Sequence, residues 1–71
     1  MHIIKFSEEK DEFIAYDFEV TDQVNEQTEY MVTLYVNFYE IESDTILVDN
    51  EGQVHDHGEK MYQNYLEYIK P

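Results

Sequence analysis

Across residues 13–20 the chain alternates in polarity: Ile14, Tyr16, Phe18 and Val20 fall on one side, Phe13, Ala15, Asp17 and Glu19 on the other. Period-two patterning predicts a strand with one buried face. Residues 30–42 form the longest such run, with Val32, Leu34, Val36 and Phe38 facing one way. Met31, Thr33, Tyr35, Asn37 and Tyr39 face the other. Residues 2–6 are a short β-branched run closed by a polar turn over 7–11, and residues 45–49 predict a fourth strand after a turn at Ser43-Asp44. Ser7 could instead cap a short helix with Glu8 and Glu9 in its first turn, but the clean alternation from Phe13 favours a strand. Residues 21–29 are polar and predict a loop or a loose hairpin connection. Asn50-Glu51-Gly52 predicts another turn, with a short return through Val54. From about Gly58 the period lengthens, and Met61, Tyr62, Tyr65, Leu66, Tyr68 and Ile69 recur at helical spacing.

The expected fold is therefore α+β. Four antiparallel strands near 2–6, 13–20, 30–42 and 45–49 form a sheet, and a C-terminal helix over about 58–70 packs on one face. No repeat or linker interrupts the chain, so residues 1–71 read as a single acidic α+β domain.

Charge changes the picture. The 71 residues carry 4 Lys+Arg against 17 Asp+Glu, a formal net charge of −13. Nucleic-acid binding and anchoring to anionic lipid both need clustered basic side chains, so neither direct nucleic acid nor a membrane surface is an expected partner. Such charge often marks disorder, yet this chain is 42% hydrophobic with 7 Tyr and 4 Phe. That is enough bulky apolar surface to build a core, and the chain reads as folded under electrostatic self-repulsion. With no Cys, neither disulfides nor thiolate metal sites staple it. No apolar run reaches membrane-spanning length, and the start of the chain lacks a signal-peptide pattern, so a cytoplasmic location is expected.

Candidate chemistry is sparse. No Gly-rich loop followed by Lys could cradle phosphates, and neither Gly52 nor Gly58 sits in a strand–Ser–helix context, so no enzyme activity and no cofactor are expected. His55-Asp56-His57 holds metal-ligand residue types. On a strand, His55 and His57 would share a face, but a solvated loop leading into the helix is the simpler reading, and no metal is assigned. Residues 49–52 lack the ligand spacing of a calcium loop.

The carboxylates form the stronger pattern. Asp17 and Glu19, and likewise Glu40 and Glu42, are two apart in predicted strands, which sets same-face charges roughly 6.6 Å apart. Glu8, Glu9, Asp11 and Glu12 crowd the first turn, while Asp22, Glu26 and Glu29 crowd the second. Such rows can imitate a phosphate backbone towards a basic groove. They could also serve solubility alone, although a net magnitude of about 2–8 suffices for that in a small domain. Tyr35 and Tyr39, on the polar side of the long strand, either add rigid amphipathic area of the kind found at binding hot spots or lie under the helix, whose own tyrosines must pack somewhere.

In size, charge, aromatic content and lack of Cys, the chain resembles the small acidic DNA-mimic inhibitors of phages and mobile elements. These are anti-CRISPR proteins, anti-restriction proteins and uracil-DNA glycosylase inhibitors. The resemblance implies an inhibitor lodged in the nucleic-acid channel of a host protein, and it carries no individual residue across. The expected partner is thus a basic nucleic-acid-binding protein, such as a nuclease or another DNA- or RNA-processing enzyme. Asp17, Glu19, Glu40 and Glu42 are the first candidate contacts, followed by the Glu8, Glu9, Asp11 and Glu12 cluster, with Tyr35 and Tyr39 as anchors. The rival expectation is a small structural or regulatory domain that acts through a Tyr-rich sheet face, as a homodimer or as an antitoxin-like partner.

Overall fold

The computed structural model describes residues 1–69. Four strands, β1 (His2–Ser7), β2 (Glu12–Val24), β3 (Gln27–Val36) and β4 (Tyr39–Val48), form one antiparallel sheet in the order β1-β2-β3-β4. Helix α1 (Glu51–Asn64) follows, and its last turn widens into a π-helical turn, Tyr65–Ile69. The expected α+β architecture is present. Among the described residues, no helix is long and apolar enough to cross a membrane.

The apolar alternation of β2 and β3 decides which face α1 covers. Tyr16 lies opposite Leu34, and Phe18 opposite Val32. Ile14, Tyr16, Val32, Leu34 and Val48 pack with Val54, Met61 and Tyr62 of α1 in one buried core. The closest approach is at Gly58, where a Cβ would stand 2.7 Å from the Tyr16 ring. Glycine lets the helix settle directly on that ring. Val20 belongs to the same side of β2 yet is 60% exposed, because the β2–β3 hairpin runs on past the helix.

Several boundaries differ from the sequence reading, each for a local reason. The expected 30–42 strand is broken at Asn37-Phe38, so the chain reverses there and Ser43-Asp44 lies within β4. Asn37 and Phe38 both take left-handed backbone, with φ of 51° and 72°. That is the two-residue turn that matches the twist of a hairpin. Asn tolerates it well, while Phe38 holds it at a cost of roughly 1–2 kcal/mol. Asn37 supports the turn from outside, since its Oδ1 accepts the Phe13 N–H at 2.8 Å and its own N–H donates to the Phe13 carbonyl at 2.7 Å.

The expected loop or loose hairpin connection over 21–29 is a hairpin, and most of it is strand. β2 and β3 continue to a tight turn around Asn25, another residue with positive φ (58°). The helix begins at Glu51 rather than near Gly58, so there is no return strand through Val54. Asn50 caps it: the Asn50 side chain accepts from the Gln53 N–H, and Gln53 reaches back to the Asn50 backbone. Position 70, the far end of the expected helix, lies outside the described residues.

Candidate functional site

α1 covers one face of the sheet and leaves the other open. Cross-strand partners share a face, so the register sorts the carboxylates. Phe13, Ala15, Asp17 and Glu19 alternate on the side of β2 turned away from α1. Asp17 pairs with Thr33, and Glu19 with Met31. A register shift between Val20 and Asp22 then returns Asp22 to this side, opposite Glu29. On β4, Glu40 lies opposite Tyr35. Asp17, Glu19, Asp22, Glu29 and Glu40 therefore share the open face.

No described lysine answers them there. Lys5 pairs in register with Ile14 on the helix side, Lys10 sits in the β1–β2 turn, and Lys60 is on α1. The partners that these acids do have are modest. Asp17 accepts the Phe18 N–H at 2.9 Å and lies 3.9 Å from the Met1 amino group, and Glu29 accepts from the Thr21 hydroxyl at 2.9 Å. Asp22 and Glu29 stand directly opposite one another, a like-charge pair that works against the hairpin.

Asp17, Glu19, Met31, Thr33, Tyr35 and Glu40 line a shallow depression of about 180 Å³ on this face. Thr33 is buried at its floor, its hydroxyl 2.8 Å from that of Ser43. Tyr35 is half-buried, while Glu19 and Glu40 are exposed. The site thus brings together Asp17, Glu19, Glu40 and Tyr35 from the sequence reading.

It separates the rest. The register shift between Leu34 and Tyr35 inserts an extra residue in β4, so Glu42 lies opposite Leu34 on the helix side while Glu40 faces out. Glu40 and Glu42 are therefore not the same-face pair expected from their spacing. Tyr39 is likewise parted from Tyr35. It pairs with Val36 and is 75% exposed. Glu8, Glu9 and Asp11 are exposed in the β1–β2 turn, but Glu12 begins β2 and meets Lys5 Nζ at 3.3 Å.

A second cleft, of about 310 Å³, opens at the end of the sheet where the β1–β2 and β3–β4 turns meet. Its walls are aromatic. Phe13 and Phe38 stack with ring centroids 4.5 Å apart and planes 10° apart, and Phe6 meets Phe13 edge-on at 6.3 Å. Phe6 and Phe38 are 64% and 75% exposed. Glu8 and Asp11 stand on its rim. The sequence reading put Phe38 on the core face, and the turn at Asn37 is what turns it out.

The histidines serve packing. His55 and His57 are two apart on a helix, so they diverge by about 200° instead of sharing a face. His55 Nδ1 lies 2.5 Å from the Tyr16 hydroxyl, and its ring meets those of His2 and Phe18 edge-on. His57 Nε2 lies 3.1 Å from Asp44 Oδ2. No group of three or more His, Asp or Glu among the described residues is arranged to hold a metal ion. Compared with known proteins, the chain matches no family model, no curated protein and no solved structure.

Proposed function

We propose that this chain is a non-enzymatic interaction protein that enters the basic groove of a nucleic-acid-binding protein and inhibits it, its carboxylates standing in for phosphates. The observation that carries this reading is the gathering of Asp17, Glu19, Asp22, Glu29 and Glu40 on one uncovered sheet face with no lysine among the described residues in register with them. Asp17 and Glu19 lie roughly 6.6 Å apart along their strand, a spacing suited to lysine and arginine side chains that normally meet successive phosphates. A net charge of −13 steers a basic partner from a distance, and Tyr35 and Met31 add short-range contact between the acids. The small DNA-mimic inhibitors of phages are similar in size and composition, and a partner of this kind places the protein in the cytoplasm. A homodimer through the same face is disfavoured, because a two-fold axis would set this acidic surface against its own copy.

The test compares the parent protein with an Asp17→Lys/Glu19→Lys variant as immobilised bait for bacterial lysate, eluted by salt and by duplex DNA. Nucleic-acid-binding proteins should be held by the parent, displaced by duplex DNA and lost from the variant. Retention that ignores DNA, or that survives both substitutions, would overturn the proposal.

A further inference from the structure

The aromatic cleft at the turn end of the sheet is built against the preferences of its own backbone. A two-residue hairpin turn with both residues left-handed favours Asn-Gly, and this chain places Asn37-Phe38 there, with Phe38 at φ 72° and 75% exposed. A bulky residue in that region is an outlier that points to a role beyond the turn itself. What the strain secures is an exposed π-face, stacked on Phe13 and backed by Phe6. The faces of such rings are negative, and the carboxylates of Glu8 and Asp11 stand at the rim. Aromatic faces beside carboxylates fit a planar cation better than an apolar plug. A guanidinium stacks on the ring and forks its N–H groups towards the acids, whereas an ammonium is a compact, strongly hydrated point charge.

We propose that the Phe6–Phe13–Phe38 cleft takes an arginine side chain of the basic partner, stacked on Phe38 and paired with Glu8 and Asp11. This deepens the groove-mimic reading and rests on it: the open face attracts the partner, and the cleft anchors it. Arginine is the expected anchor because nucleic-acid grooves are rich in it and because its planar guanidinium can stack on a ring and fork towards two carboxylates at once.

The test is an NMR titration of the full chain with capped tetra-arginine and tetra-lysine peptides at about 0.15 M salt. The arginine peptide should bind several-fold more tightly than the lysine peptide and shift the ring signals of Phe13 and Phe38. Phe38→Gly suits the turn, and it should abolish that preference while leaving signal dispersion intact. Phe38→Leu keeps apolar area but removes the π-face, and it should do the same. Equal binding of the two peptides, or an arginine preference that survives both substitutions, overturns the anchor. If shifts appear only around Asp17, Glu19 and Glu40, the anchor falls and the groove-mimic reading stands. If neither peptide perturbs either surface, both fall.

Discussion

The Tyr16 ring is touched by His2, which stacks on it at 5.3 Å, and by the backbone of Gly58, while its hydroxyl reaches His55. Burial raises the pKa of that hydroxyl above the ordinary 10.0, and the nearby charges of Glu59 and Asp56 push it the same way. Below pH 10 both folded and unfolded chains hold the proton, so the contribution of the group to stability is complete. As pH rises further the unfolded chain releases its proton first, and that contribution drains away until the folded-state value is passed. Tyr16→Phe loses a hydrogen bond worth about 1 kcal/mol at neutral pH but has no proton to lose. The difference between the two urea midpoints should therefore shrink as pH rises from about 8 to about 11. Parallel curves over that range would show that the hydroxyl is not held as described.

Between elements, the fit of α1 against β2 depends on a missing side chain. An alanine at position 58 would gain about 1 kcal/mol of helix propensity but press its Cβ into the Tyr16 ring, an overpacking cost of about 1–3 kcal/mol. Gly58→Ala should thus be destabilising by ~1 kcal/mol in chemical denaturation, and a variant as stable as the parent would rule out the close approach. The same glycine explains part of what was legible in the sequence. Alternation in β2 and β3 named the buried face correctly down to Ile14, Tyr16, Val32 and Leu34, because one buried face imposes period two wherever a strand lies. Gly58 in mid-helix looked like a boundary, since the tertiary contact that requires it is made with a strand 42 positions earlier. The Asn50–Gln53 capping box was there to be read and marks the true start. The turn at Asn37 was hidden because Phe38 continues the apolar alternation instead of breaking it with glycine. The register shift in β4 that parts Glu40 from Glu42 leaves no mark in the alternation either, whereas Asp17 and Glu19, in an unbroken part of β2, share a face as their spacing predicts.

At the scale of the molecule, the described chain is an elongated slab of 45 × 22 × 17 Å that carries a strong excess of like charge. The carboxylates of the open face repel one another across distances comparable to the Debye length, about 10 Å at 0.1 M salt. Raising NaCl from about 10 mM to about 300 mM should therefore raise the melting temperature, and the same change should weaken binding to a basic partner. The opposite signs are the signature of charge kept for recognition at the expense of folding. A melting temperature indifferent to salt would mean that the acids lie too far apart to interact.

The strand order β1-β2-β3-β4 also has a kinetic side. Every strand lies beside its neighbour in sequence, so the sheet can zip up from short hairpins and no distant segment has to be found first. A bare four-stranded meander of this composition is wet on both faces, and only the arrival of α1 dries one of them. Docking of the helix is then the event that makes folding all-or-none, and the hairpins before it are reversible rehearsals. A chain so acidic profits from that order of events, because its repulsions are met one turn at a time and the buried core closes last.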